Sequence, residues 1–219
     1  MRPSLSVEIW SDVVCPWCYI GKRRFEKAAA ELADEVDLEV VFRPYQLDPR
    51  APMGATMPVE EAYARKFGGP EAAQRAITHV TTIAADEGLE FHMERALRAN
   101  TMLAHRLLFL AEATGHQAAL KERLLQAYFC DGLDVGDANV LADLAAEVGM
   151  PHDNVAAFLD SRDGADEVVQ MIGIAEDNGI TAVPTYVLDG RFMIPGAQDP
   201  DTFVNVIRRV LARRTEEAS

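Results

Sequence analysis

Cys15 and Cys18 bracket Pro16-Trp17, and this run holds the most reactive side chains of the 219-residue chain. It follows a short apolar stretch, Val7-Glu8-Ile9-Trp10, and opens a segment of helical character from about Tyr19 to Leu32. Two cysteines three positions apart at a helix start can close a small disulfide ring. The first sulfur then lies where unpaired backbone N–H groups converge and the helix end carries partial positive charge, which favours a thiolate. A thiolate beside a second thiol has the parts needed for disulfide exchange. Cys15, the N-terminal and more exposed thiol, is the expected nucleophile; Cys18, one turn inward, is the expected resolving thiol. Trp17 carries no charge, so the thiolate gains less than it would from a cationic imidazole at that place. Its indole offers a shield for the sulfur and a stacking face for a substrate. CxxC also serves metals, but no second pair exists, and His79, His92, His105, His116 and His152 show neither close pairing nor HxxxH spacing. No metal ligand is assigned.

Four further features could act on the sulfurs. Asp12 precedes Cys15 by three positions; a carboxylate there raises the sulfur's pKa or moves its proton during resolution, or else accepts hydrogen bonds from the next turn. Lys22 and Arg23 can favour the thiolate by charge, but a solvated helix face is the expected setting. Asn100, Thr101 and His105 fall on one helical segment, where positions 101 and 105 share a face. They either reach a substrate cleft, or cap the helix and fill an interface. Cys130 stands alone and reads as a small, buried apolar residue or an accessory thiol.

The elements that must position these residues start as β-α-β. A strand over about Ser6–Asp12 is followed by a helix with Phe25, Ala28, Ala29 and Leu32 on one stripe, then a strand over Leu38–Phe42. Pro44, Pro49, Pro52, Gly54 and Pro58 mark a boundary. From about Val59 to Asp160 the chain reads as wholly helical, punctuated by glycines and prolines. Within it Val140, Leu141, Leu144, Ala145 and Val148 share a face, with Asp137 as N-cap and Gly149 as the stop. A helix over Ala165–Asn178 then leads to a strand at Pro184–Leu188. Asp189-Gly190 signals a hairpin into Arg191–Ile194, and a last helix starts at Asp199-Pro200.

Bulk properties narrow the function further. A hydrophobic share of 49% with 26% charged residues describes an ordinary globular protein. No apolar run approaches the roughly 20 residues of a membrane helix. The formal net charge of −14 opposes a nucleic-acid partner, which needs a basic face. With only three cysteines, a structural disulfide framework is excluded. Met1-Arg2-Pro3-Ser4 runs straight into strand without an apolar leader, so a full-length chain starting here is expected in the cytoplasm.

The motifs together resemble the DsbA-like thioredoxin family, and within it the FrnE branch named from polyketide biosynthesis clusters. The resemblance runs through Ser11-Asp12-x-x-Cys15-Pro16-Trp17-Cys18-Tyr19-x-Gly21, Asn100-Thr101-x-x-Ala104-His105, Thr181-Ala182-Val183-Pro184-Thr185 and Gly196-Ala197-Gln198. It implies an α/β, thioredoxin-like fold with a large all-helical insertion. Residues 1–50 and 165–219 would form the thioredoxin-like domain and residues 51–164 the insertion. It implies a protein-disulfide oxidoreductase with the redox-active disulfide Cys15–Cys18, no required cofactor, and glutathione as a candidate co-substrate. The partner would be a thiol or disulfide substrate, protein or small molecule; the oligomeric state stays open, with a dimer as one candidate. On its residues alone Pro184 is a strand-starting proline, whereas the resemblance implies a cis Val183–Pro184 bond facing the sulfur. Pro16, Trp17 and Val183, with Asn100, Thr101 and His105, would then line the substrate. Two rival functions remain. Related 2-hydroxychromene-2-carboxylate isomerases and kappa-class glutathione transferases use glutathione, but typically carry Ser where this chain has Cys15. A client-binding, chaperone-like role would use the helical block and Met53, Met57, Met93 and Met102.

Overall fold

The computed structural model describes residues 2–54 and 57–217. Strand β1 (Ser4–Ser11) alternates: Leu5, Val7 and Ile9 point to one face, and Trp10 to the other. Helix α1 (Pro16–Glu31) carries the chain across to β2 (Asp37–Pro44), which pairs in parallel with β1 over its whole length. Strand β3 (Thr185–Leu188) runs antiparallel on the other side of β1, and β4 (Phe192–Pro195) closes the sheet in the order β2-β1-β3-β4. The β3–β4 turn places Asp189 at φ 52° and Gly190 at φ 65°. Two successive left-handed residues match the twist of the flanking strands, which is why Asp-Gly occurs there.

Between β2 and β3 come α2 (Val59–Phe67), α3 (Pro70–Asp86), α4 (Met102–Ala113), α5 (Gln117–Gln126), α6 (Ala138–Glu147), α7 (His152–Asp160) and α8 (Ala165–Asp177). The final helix, α9 (Pro200–Glu217), packs beside α1. Phe25, Ala28 and Leu32 of α1 meet Phe203, Ile207 and Val210 of α9 on the sheet face that buries Leu5, Val7 and Tyr186. A second, larger core lies among the inserted helices, and Tyr19 and Ile20 of α1 belong to it. Helix α1 is thus the shared wall between the two cores, with the CPWC run at its start. The fold is α/β and thioredoxin-like, with its helices inserted between the second and third strands.

Several local expectations need revision. The reading of Val59–Asp160 as wholly helical fails at residues 87–101, which form no helix. Their backbone pairs elsewhere: Val59 N–H donates to Ala96 O at 2.9 Å, Arg98 N–H to Met57 O at 2.7 Å and His92 N–H to Phe129 O at 2.7 Å. Helix α5 also runs into a π-helical turn, Ala127–Asp131, which ends at the left-handed Gly132. Asp137 does cap α6, its carboxylate accepting from Asn139 and Val140 N–H at 2.8 and 3.1 Å.

Candidate active site

Helix α1 begins in the CPWC run itself. Cys15 is the N-cap in extended conformation (φ −91°, ψ 113°), and Pro16 fills the first helical position, where its missing N–H loses nothing. Among the described residues no side chain caps this end, and the first turn has no acidic residue, so its donors are left to the Cys15 sulfur and to substrate. Cys18 N–H donates to Cys15 O at 3.0 Å, closing the turn that stacks the two cysteines. Both are free thiols in this structure. As whole residues the two cysteines are about equally buried, Cys15 at 3% and Cys18 at 4% exposure. The sulfur is covered on one side by the chain before β3, where the Val183–Pro184 bond is cis and the Cys15 thiol donates to Val183 O at 3.7 Å. Trp17 lies half-buried, its ring tilted against His79 at 6.0 Å.

The surroundings of Cys18 disfavour its ionisation. Burial, and then the adjacent Cys15 sulfur, push the Cys18 thiol well above its ordinary range. That is the expected condition for a resolving thiol that stays protonated until it is needed. Asp12 lies beneath them, 0% exposed. Its Oδ1 accepts from Val13 N–H at 2.8 Å and bonds His105 Nε2 at 3.1 Å, while its Oδ2 accepts from Leu47 N–H at 2.8 Å. Burial pulls its pKa up, but the His105 hydrogen bond and charge, the Leu47 N–H and the Lys121 charge together hold it below the usual carboxylate value. Asp12 is therefore an ionised, fully engaged clamp joining β1, the β2–α2 connection and α4.

His105 joins this centre through Asp12. Asn100 and Thr101 are brought to a different task. Asn100 Nδ2 donates to Ala51 O at 2.6 Å and its Oδ1 accepts from Met102 N–H at 3.0 Å. Gln46 Nε2 donates to Thr101 Oγ1 at 3.4 Å. Both residues thus tie α4 to the chain that follows β2.

Lys22 does not sit on a solvated face. It is buried, and with Arg23 it clasps Glu122 of α5, which also accepts from Tyr19 Oη at 2.8 Å. Burial raises the Glu122 pKa, but the bonds from Arg23 and Lys22 overcome this and bring it to about 2. Cys130 is half-buried, and burial and then Asp131 and Glu122 push its thiol up, so it is a poor nucleophile. Of the four methionines read as client-binding, Met93 is in the core at 2% exposure and Met53 is 55% exposed. Met93 is therefore closed to a client, whereas Met57 and Met102 are half-buried.

Three features were given no role in the sequence reading. A cavity of about 550 Å³ is lined by Val14, the residue before the first cysteine, with Leu47, Tyr63, Arg98 and Tyr128 among others. Lys121 of α5 is buried beneath the site. Gly21, one turn beyond Cys18, sits against the cis-proline segment: a Cβ there would meet Tyr186 Oη at 2.7 Å, Pro184 Cγ at 3.0 Å and Ala197 Cβ at 3.2 Å. Tyr186 cannot swing away, because its ring is fully buried between Phe25 and Phe203. We expect Gly21→Ala to cost about 1–3 kcal/mol of stability as an overpacking change and to lower exchange rates by displacing Pro184 from Cys15. Urea unfolding and a turnover assay measure both; wild-type values in each would mean the contact is compliant.

Among the described residues no group of three or more His, Cys, Asp or Glu could hold a metal ion, and no helix is long and apolar enough to cross a membrane.

The fold and this thiol site are those of a thioredoxin-type protein. Residues 6–208 match the model of the DSBA-like thioredoxin domain, and the chain belongs to that family. It is 30% identical over 206 residues to the uncharacterized protein YwbO of Bacillus subtilis, covering 93% of this chain and 96% of that one. A probable DsbA oxidoreductase from Streptomyces coelicolor superposes with a TM-score of 0.88 at 36% identity, over 95% of this chain and 90% of the other. The cytosolic disulfide reductase DsbM of Pseudomonas aeruginosa, solved with GSH, shares the fold at a TM-score of 0.64 and 20% identity, covering 94% of this chain and 99% of DsbM.

Proposed function

We propose that the protein is a dithiol–disulfide oxidoreductase of the FrnE type, in which Cys15 is the nucleophile and Cys18 resolves. The observation that carries this reading is the placement of Cys15 Sγ 3.7 Å from Val183 O, with a second thiol one helical turn inward. A substrate strand laid along the Val183–Pro184 backbone would present its own disulfide to that sulfur. The Cys15 thiolate attacks one sulfur of the substrate disulfide; a new S–S bond forms as the old one breaks, and the first substrate thiolate departs with the bonding pair. Cys18 then loses its proton and attacks Cys15 Sγ, expelling the second substrate thiolate. The substrate gains two electrons and the enzyme is left with the Cys15–Cys18 disulfide, which two equivalents of a thiol such as glutathione reduce again. The helical insertion, residues 51–164, supplies the opposite wall of the cleft, including the cavity beside Val14.

The likeness to a DsbA oxidoreductase at 36% identity supports this chemistry. The DsbM neighbour, a cytosolic reductase solved with GSH, supports glutathione as the thiol partner and the cytoplasm as the compartment. An isomerase or transferase that only binds glutathione has no use for Cys18, whereas an exchange enzyme requires it.

Trp17 places no charge in the dipeptide, so the potential should fall between those of thioredoxin and DsbA, at about −180 to −250 mV. Equilibration in glutathione buffers, followed by quantification of the Cys15–Cys18 disulfide, measures it. A value more oxidising than about −150 mV would contradict the role given to Trp17. Failure to form the disulfide at any ratio would overturn the oxidoreductase reading.

A further inference from the structure

Helix α5 is bolted to the thioredoxin part at two points. Gln117 inserts its side chain into the backbone of β2, accepting from Phe42 N–H at 2.9 Å and donating to Phe42 O at 3.0 Å. Glu122, further along, is held by Tyr19, Lys22 and Arg23 of α1. Lys121 lies between these bolts, one turn beyond Gln117 on the same face. It is 1% exposed, and among the described residues its Nζ has no hydrogen-bond partner. Its Nζ lies over the Phe42 ring, 5.7 Å from the centroid. An unpartnered buried amine is costly, and a fold keeps one only where something nearby compensates.

The charges that act most strongly on Lys121 come from the redox centre and from α1. Cys18 and Cys15 at the start of α1 and Asp12 at the end of β1 attract its charge, whereas Lys22 of α1 opposes it. His105 of α4 bonds Asp12 of this group at 3.1 Å. Asp12 itself is a poor proton acceptor, since both its oxygens already accept N–H bonds and it stays ionised. We propose that Lys121, a residue of the helical insertion, is the positioning charge of the redox centre, its ammonium stabilising the Cys18 thiolate in the resolving step. This rests on the oxidoreductase reading above. In that step the Cys18 proton is lost, the Cys18 sulfur bonds to Cys15 Sγ, and the Cys15–substrate bond breaks. The departing substrate thiolate takes up a proton, so the charge on Lys121 is needed only while Cys18 is ionised. Burial lowers the Lys121 pKa, while the Asp12 carboxylate and a negative charge on either cysteine sulfur raise it, so its protonation should follow the redox state of the cysteines.

The test uses oxidised glutathione and stopped-flow detection of each glutathione released. The first release reports attack by Cys15, and the second reports resolution by Cys18. Lys121→Met keeps the length and removes the charge, and it should fold at least as stably as the wild type. Its second release should slow by about tenfold or more at pH 7, with the pH midpoint of that step raised by roughly one unit. The first release, measured in a Cys18→Ser background, should change by much less. A wild-type rate and midpoint for the second release would overturn the proposal while leaving the oxidoreductase reading intact. No Cys15–Cys18 disulfide in the wild type would overturn both. If Lys121→Met fails to fold, the wild type still decides. The chain has only four lysines, Lys22, Lys27, Lys66 and Lys121. With 13C at the lysine Cε, the Lys121 resonance should move between the oxidised and reduced protein, and an unmoved resonance would overturn the proposal.

Discussion

Cys15→Ser is expected to bring insulin reduction by dithiothreitol down to the uncatalysed rate, whereas Cys130→Ala should leave it unchanged. Serine keeps the size of the side chain but loses the nucleophile, because a hydroxyl at a helix start is far from ionising at neutral pH and cannot form the mixed disulfide. The protein should stay folded: Cys15 lends its backbone as the N-cap and its side chain caps nothing. Cys18→Ser should behave differently. It retains attack by Cys15 but cannot resolve, so it should accumulate as a mixed disulfide with substrate. Exposing that variant to cell extract and identifying what is linked to Cys15 would name the substrate. Residual activity in Cys15→Ser that disappears in Cys18→Ser would reverse the two roles. Loss of activity in Cys130→Ala would bring in a thiol whose surroundings, burial above all, disfavour its ionisation.

The residues that identify the site are legible because their signals are local. CxxC at a strand-to-helix junction, Asp-Gly in a hairpin and Asp-Pro before the last helix each state their geometry within a few positions. The β-α-β start and the α-β-β-α end frame the insertion for the same reason. What escaped is long-range. Lys22 lies on a helix that reads as polar at that position, and only the approach of Glu122 from 100 residues away buries it. Residues 87–101 have helix-forming composition, but backbone bonds to Met57, Val59 and Phe129 hold them out of a helix. The Cys15 burial depends on Val183, 168 positions distant. Lys121 did leave a trace. It falls beside Leu120 and Leu124 on the buried side of α5, where a lysine contradicts the pattern. Such a contradiction points to function more often than to error.

Asp12→Ala is expected to destabilise the protein by about 3–5 kcal/mol at pH 7, the scale for removing one partner of a buried, hydrogen-bonded charge. The loss leaves Val13 N–H, Leu47 N–H and the imidazole of His105 without their acceptor in a place water does not reach. For a chain of this size it corresponds to a fall in Tm of roughly 10 °C. Asparagine should not rescue it fully. Whichever way the amide is turned, its NH2 group meets a backbone N–H, of Leu47 or of Val13. The pH dependence gives an independent check. Asp12 has a folded-state pKa below its ordinary value of 3.8, so between the two values the unfolded chain binds more protons than the folded one. The carboxylate's contribution is complete above the ordinary value and is lost as pH falls through the folded one. Glu122, brought to about 2, acts in the same direction. Urea unfolding of the wild type should therefore show stability falling below about pH 4, and Asp12→Asn should lose less over that window because a buried titrating carboxylate is gone. A penalty below about 1 kcal/mol for Asp12→Ala would place water at the carboxylate, and a wild-type acid slope in Asp12→Asn would assign the acid limb to other carboxylates.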